Sequence, residues 1–145
     1  MPYIDTSIIV KLYVRENHSL EVIKWISENN EAIALTSLHE LEFTNAIQFK
    51  LFRKEILPDQ ASLILSRFKA HQEGGVYHRP RLIWSDVWDR AVDLSQNLTA
   101  NTGSRSLDIL HVTSALLLKL DRFATLDNKQ SELASKAGLK VIKII

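Results

Sequence analysis

Residues 3–10 read YIDTSIIV, and this stretch joins a strand-like run to a helical apolar pattern through a single acid, Asp5. Residues 2–4 predict a first strand, and Ile8, Ile9 and Leu12 then recur at helical spacing. An acid between these two patterns lies at the carboxyl end of a strand, where open α/β sheets bind their ligands. Asp is also a preferred N-cap residue of helices, so a purely structural role stays open at this point.

The same alternation of strand-like and helix-like segments continues outward from this stretch. Strands are predicted over residues 32–35, 122–125 and 140–144, with at best an edge strand over 76–84 because Pro80 interrupts it. Helices are predicted over 19–30, 37–52, 58–73, 85–102, 107–118 and 128–136. Ser85-Asp86 open the helix over 85–102, and Ser106 caps the helix over 107–118. Parallel strands need crossover connections, so the pattern predicts an α/β fold with a mainly parallel sheet and helices on both faces.

Length and composition limit the class of protein. A chain of 145 residues with 46% hydrophobic and 24% charged residues predicts one globular domain over residues 1–145. It contains no cysteine, which excludes disulfides and cysteine-based zinc sites and favours a cytoplasmic location. No apolar run reaches the 18 residues of a membrane span, so no membrane association is expected. The formal net charge of +1 does not by itself point to a nucleic-acid partner.

Four acids occupy conspicuous positions in this layout. Asp5 and Asp127 each follow a predicted strand, so both are expected at the carboxyl edge of the sheet. Asp108 lies in the first turn of the apolar helix SLDILHVTSALLL, where the helix N-terminus itself stabilises a negative charge. Glu42 lies in the third helix on a face that it is expected to share with the candidate core residues Leu38, Ala46 and Phe49; Leu41 is a further core candidate of that helix.

Glu40 is the alternative to Glu42, because residues two apart lie on different faces of a helix and cannot both serve one site. Glu40 shares its face with Ser37 and Thr44, a more polar neighbourhood, and we therefore favour Glu42.

Acids gathered in one place repel one another unless they are protonated or bind a cation. Oxygen ligands without cysteine suit Mg²⁺ or Mn²⁺. Such ions bind phosphate, lower the pKa of a bound water and stabilise a leaving oxygen, which is the chemistry of phosphodiester hydrolysis. The residues thus indicate a metal-dependent nuclease.

Four segments together resemble a PIN domain, and more closely the VapC-type ribonuclease toxins of prokaryotic toxin–antitoxin pairs. They are YIDTSIIVKLY, ALTSLHELEFTNAI, SLDILHVTSALLL and FATLDNKQSELASKAGLKVI, and they span the whole chain in the family's order. The resemblance implies a three-layer α/β/α fold and an acidic pocket that binds one or two Mg²⁺ or Mn²⁺ ions.

The resemblance also implies roles for individual residues. Asp5 and Asp108 correspond to the most direct metal ligands, Glu42 would ligate the metal or orient its water, and Asp127 would complete the site. Thr6 and Thr125 match hydroxyl positions that would support the pocket. The implied partners are an RNA substrate, a cognate antitoxin protein and a second copy of the chain in a homodimer.

Other interpretations of the sequence stay open. Arg105 stands just before the Asp108 helix and could contact a substrate phosphate or pair with a local acid. A phosphatase with Asp5 as covalent nucleophile would be expected to have a second Asp two residues on, where Ser7 stands. The main alternative is a non-catalytic PIN-like module that binds RNA or serves as a scaffold.

Overall fold

Five short strands alternate with seven helices in the computed structural model, which describes every residue from Met1 to Ile145. The strands are β1 (Tyr3–Ile4), β2 (Ile33–Ala34), β3 (Tyr77–His78), β4 (Arg122–Ala124) and β5 (Lys140–Ile142). The helices are α1 (Thr6–Tyr13), α2 (Ser19–Asn29), α3 (Ser37–Phe52), α4 (Pro58–Glu73), α5 (Trp84–Thr102), α6 (Ser106–Leu117) and α7 (Asn128–Lys136). The α/β class predicted from the sequence is confirmed.

All strand pairs are parallel, but they form two sheets rather than one. The first sheet has the order β1-β4-β5, and the second pairs β2 with β3. Tyr3 lies opposite Phe123 and Ile4 opposite Ala124 in the β1–β4 pair. The segment over residues 76–84, which the sequence predicts to be at best an edge strand, therefore contains the strand β3. An apolar run identifies a strand but not its partner, so the sequence could not distinguish one sheet from two.

Two helix starts differ slightly from the expected ones. Helix α5 begins at Trp84 with Ile83 at the N-cap, so Ser85 and Asp86 lie inside its first turn. Helix α6 begins at Ser106, and its N-cap is Arg105 rather than the serine. Neither helix has a side-chain hydrogen bond from its N-cap residue. Each helix begins one residue before its expected start.

The chain divides into two compact units, which we call the terminal unit (residues 1–5 and 80–145) and the inserted unit (residues 6–79). In the terminal unit α5 packs against α6, and α7 packs against β4 and β5. In the inserted unit α1 packs against α2 and α3, and α3 packs against α4. That the whole chain acts as one domain stays a prediction.

Each unit has its own buried apolar residues. In the terminal unit Val87, Ala91 and Leu94 of α5 are buried, as their spacing predicts. The core of that unit also includes Tyr3, Ile4, Phe123, Val112, Ala115 and Leu133, all nearly or fully buried. In the inserted unit the rings of Phe43 and Phe68 stack with their centroids 3.8 Å apart. None of the helices is long and apolar enough to cross a membrane.

The expected core face of α3 is confirmed at Leu38, which is buried, and is wrong at Leu41 and Phe49. Leu41 and Phe49 are 66% and 46% exposed, whereas Phe43 and Ile47 are fully buried. The buried face runs through residues four apart, beginning at the buried His39. Apolar residues occur on several sides of this helix, so spacing alone could not select the face that packs inward.

Candidate active site

Asp5 lies at the carboxyl end of β1, as the sequence predicts. Its backbone N–H donates to the carbonyl of Ala124 at 2.9 Å, which extends the parallel ladder by one residue. The side chain is only 9% exposed. The hydroxyl of Thr125 lies 3.3 Å from Asp5 Oδ2. A buried carboxylate is costly without such donors, so the end of β4 helps to hold the end of β1.

Thr125 connects Asp5 to the residues that begin α7. Its oxygen accepts a hydrogen bond from the backbone N–H of Asp127 at 3.1 Å. The same hydroxyl lies 3.1 Å from Gln130 Oε1, so it can donate to Asp5 or to Gln130. The predicted supporting hydroxyl is thus placed between two of the predicted acids.

Asp127 is the N-cap of α7. Its Oδ1 accepts the backbone N–H groups of Lys129 at 2.8 Å and Gln130 at 3.2 Å. Asp127 is exposed. Both capping bonds end on Oδ1, so this residue has a clear structural role while Oδ2 faces away from those bonds.

Asp108 lies in the first turn of α6, where it accepts the backbone N–H of Arg105 at 3.4 Å. Burial raises the pKa of the Asp108 carboxyl, and the negative charges of Asp127 and Asp5 raise it further. The Arg105 N–H and the charge of His111 act in the opposite direction without cancelling the pKa increase. The carboxylates of Asp5 and Asp127 are therefore near enough to Asp108 to repel its charge within the terminal unit.

Glu42 and Glu40 have different partners within the inserted unit. Glu42 is half-buried and accepts a hydrogen bond from the Thr6 hydroxyl at 2.8 Å. Thr6 directly follows Asp5 in the chain. Glu40 instead pairs with Arg79, whose guanidinium also donates to Gln72 at 3.0 Å. The two acids thus lie on different faces of α3, as their spacing predicts.

Arg105 is exposed at the start of α6. Its hydrogen bond to Asp108 comes from the backbone N–H and not from the guanidinium. Whether its side chain contacts a phosphate stays a prediction.

The donor set fits a hard divalent cation in its chemistry, because it consists of carboxylates, and burial together with the charges of Asp127 and Asp5 raises the pKa of Asp108. The spacing of these carboxylates is less suited to a metal ion than their chemistry. No group of three or more His, Asp or Glu side chains is arranged closely enough to hold a metal ion. Ligation would therefore require the carboxylates to move toward a shared ion.

Two features near the acids were not predicted from the sequence. Gln130 is 2% exposed, and its Nε2 has no hydrogen-bond partner. An Asp N-cap followed three residues later by Gln is a known pattern at helix starts, so Asp127 and Gln130 could have been recognised together. The second feature is a buried hydrogen bond between Tyr3 and His111, for which the sequence contains no local signal because 108 residues separate the two.

Comparison with known proteins identifies the family. The PIN domain matches residues 3–136 of the chain. The chain belongs to the PIN domain family. No curated protein matches it.

Among the solved structures that match this PIN domain is the crystal structure of FitAcB from Neisseria gonorrhoeae. The TM-score is 0.71, with 14% identity, and the alignment covers 99% of this chain and 98% of the other. At that identity the likeness shows a shared fold. The family resemblance and the α/β fold predicted from the sequence are both confirmed.

Proposed function

We propose that this PIN domain is a metal-dependent endoribonuclease that hydrolyses RNA phosphodiester bonds and acts as the toxin of a toxin–antitoxin pair. The observation that carries the proposal is the surroundings of Asp108 in the terminal unit, where burial raises the pKa of its carboxyl and the negative charges of Asp127 and Asp5 raise it further. A divalent cation would relieve this repulsion. Membership of the PIN family supports the same chemistry.

Four acids would hold Mg²⁺ or Mn²⁺ in this proposal. Asp5 and Asp108 are the direct ligands, Asp127 completes the site through Oδ2 or a water, and Glu42 ligates or orients a water. When bound, the ion supplies charge for the phosphate and the leaving oxygen and lowers the pKa of the attacking water.

Hydroxyl groups orient two of the acids. Thr125 donates toward Asp5, and Thr6 donates to Glu42, so each of these two carboxylates is held by a hydroxyl. Arg105 is proposed to contact a phosphate of the RNA, since its guanidinium is exposed beside the Asp108 helix.

The partners follow from the VapC-type resemblance. We propose a cognate antitoxin and a homodimer, and a cytoplasmic location consistent with the absence of cysteine. Exposed apolar side chains supply surface for protein partners in the inserted unit. They include Leu20 and Ile23 of α2, Leu41 and Phe52 of α3, and Leu63 of α4.

Metal removal tests the proposed activity. Purified protein is incubated with a mixed set of structured RNAs in EDTA, in Mg²⁺ and in Mn²⁺, and cleavage is followed on denaturing gels. We expect cleavage only with a divalent ion. The Asp108→Asn protein, purified in the same way, controls for contaminating nucleases and should be inactive. Equal cleavage in EDTA would contradict the proposal.

One observation favours a second candidate, a non-catalytic PIN-like module that binds RNA or acts as a scaffold. No three acidic or histidine side chains are arranged to hold a metal, and Asp127 already serves as a helix cap. RNA binding that is unchanged by EDTA, together with no cleavage in either metal, would support this alternative.

A further inference from the structure

Tyr3 and His111 form a buried polar pair in the terminal unit. The Tyr3 hydroxyl and His111 Nδ1 share a hydrogen bond of 2.7 Å. Tyr3 is fully buried and His111 is 1% exposed. Their rings meet edge to face with centroids 5.6 Å apart. Polar groups buried this deeply need a hydrogen-bond partner, because a buried donor or acceptor left unsatisfied is costly.

This pair joins the two elements that carry two of the candidate acids. Tyr3 lies two residues before Asp5, and side chains two apart along a strand point to the same side. The ladder continues through Asp5, because its N–H still bonds to Ala124. His111 lies three residues after Asp108, on the same face of α6. The Tyr3–His111 bond therefore connects the Asp5 side of β1 to the Asp108 face of α6.

The surroundings leave the pair little freedom. Tyr3 stacks on Phe123, its opposite residue in β4, with centroids 5.3 Å apart and planes within 11°. An apolar pair could slide against α6 and remain in contact, whereas a hydrogen bond fixes both a distance and a direction. The ring of Tyr3 is thus fixed against β4 on one side and bonded to α6 on the other.

We propose that Tyr3 and His111 are positioning residues that set the separation of the Asp5 and Asp108 carboxylates and thereby the metal affinity of the site. This role rests on the proposed function, because it presumes that Asp5 and Asp108 bind a divalent ion. Neither residue needs to touch the ion, the RNA or the reacting atoms.

A matched pair of variants tests the role. Tyr3→Phe removes only the hydroxyl and keeps the stacked ring. Tyr77→Phe is the control, because Tyr77 is 6% exposed and its hydroxyl bonds to Tyr13 at 2.7 Å in the inserted unit. Calorimetric titration with Mn²⁺ gives the dissociation constant, and thermal unfolding without metal gives the loss of stability for each variant.

We expect both variants to lose a similar few degrees in the unfolding midpoint, about 2–4 °C for each kcal/mol lost. Only Tyr3→Phe should weaken Mn²⁺ binding, by about 10- to 100-fold, the range found for residues that orient metal ligands. An unchanged Mn²⁺ affinity in Tyr3→Phe, or an equal loss in Tyr77→Phe, would overturn the positioning role. If the wild-type protein binds no Mn²⁺, the proposed function itself fails, and the positioning role fails with it.

A second variant keeps the proposal testable if Tyr3→Phe does not fold. His111→Leu breaks the same bond from the helix side. Positioning requires a weaker Mn²⁺ affinity, because the hydrogen bond that fixes Tyr3 against α6 is lost. Tighter or unchanged binding in His111→Leu would therefore overturn the proposal.

Discussion

Single residues in α3 show how local geometry selects between two similar acids. Glu42 accepts a hydrogen bond from Thr6, the residue after Asp5, whereas Glu40 pairs with the exposed Arg79. Exposed ion pairs contribute little to stability. The different contacts of the two acids agree with the expectation that they lie on different faces of α3, and the role of Glu42 as the fourth acid of the site stays a proposal.

Neutralising each of these acids separately tests that choice. Glu42→Gln should lower the rate of RNA cleavage by about 10- to 100-fold, because it removes a charge that holds the metal or its water. Glu40→Gln, the control on the same helix, should stay within about two-fold of wild type, since it removes only a surface pair. Rates are compared at saturating Mn²⁺. Equal losses in the two variants would show that the assignment of faces is wrong.

Asp108 is a residue whose surroundings oppose its charge. Burial and the charges of Asp127 and Asp5 raise its pKa, so the folded state holds a proton more tightly than the unfolded chain does. Stability therefore falls as the pH rises through the interval between the unfolded and folded pKa values. This penalty is fully present once the pH exceeds the folded pKa.

Asp108→Asn should accordingly unfold at a higher temperature than wild type at pH 7 while losing its activity. The difference should shrink as the pH falls and should vanish below about pH 3.9, where the carboxyl is protonated in both states. Thermal unfolding without metal at several pH values measures it. A variant that is less stable than wild type at pH 7 would contradict the repulsion inferred among the three acids.

At the scale of the element, the N-cap residue of α7, Asp127, has two separate proposed functions. Asp127 caps the helix through Oδ1 and is also a proposed member of the metal site. Asn caps helices about as well as Asp, whereas Ala does not cap at all. The two functions can therefore be separated by substitution.

Asp127→Asn should retain the stability of wild type and lose cleavage activity. Asp127→Ala should lose the same activity and in addition about 0.5–2 kcal/mol of unfolding free energy, the usual value of a lost cap. Urea denaturation and RNA cleavage are measured on both proteins. Full activity in Asp127→Asn would reduce Asp127 to a helix cap.

A second element-scale feature connects the region after α1 to α3. Glu16 accepts hydrogen bonds from Lys11 and Lys50, each at 2.9 Å, with all three side chains largely buried. Burial alone would raise the pKa of Glu16, but the bonds and charges of Lys50 and Lys11 outweigh it and hold the pKa below its usual value. This cluster stabilises the inserted unit when Glu16 is ionised.

Glu16→Gln should cost about 1.5–3 kcal/mol of unfolding free energy at pH 7, the range for hydrogen bonds to charged groups. Because the folded pKa is lowered, the stabilisation is present above about pH 4.3 and is lost as the pH falls below it. Urea denaturation at pH 7 and pH 3 measures the change. Glu28→Gln, which breaks the exposed pair with Lys24, is the control and should alter stability by less than about 0.5 kcal/mol. A Glu16→Gln cost that persists at pH 3 would contradict this explanation.

At the scale of the whole molecule, the order and type of the elements followed from the sequence. Helix α7 has the predicted bounds because signals mark both ends, Asp127 before it and Gly138 after it. The short strand β3 was only weakly indicated, since Pro80 follows it closely. Sheet membership and the buried face of α3 depend on contacts distant in sequence, which periodicity does not contain.

As with the fold, only part of the candidate site could be predicted from the sequence. Asp5 and Asp127 raise the pKa of the half-buried Asp108 beyond the effect of burial, because strand ends and a helix start meet in the terminal unit, as the α/β pattern predicts. The Tyr3–His111 bond and the buried Gln130 could not be derived in the same way. Both depend on how distant segments pack together. A Tyr in a strand, a His in an apolar helix or a Gln in a first turn gives no local signal of such packing.

The central claim is that Asp5 ligates a metal at the edge of the sheet, and binding of Mn²⁺ to wild type and to Asp5→Asn tests it most directly. Titration calorimetry on the two folded proteins should show binding by wild type and an affinity at least about 100-fold weaker in the variant, because a ligand is lost and not only an orienting partner. Equal binding by both proteins, or no binding by either, would contradict the claim and leave Asp5 with a structural role at the start of α1.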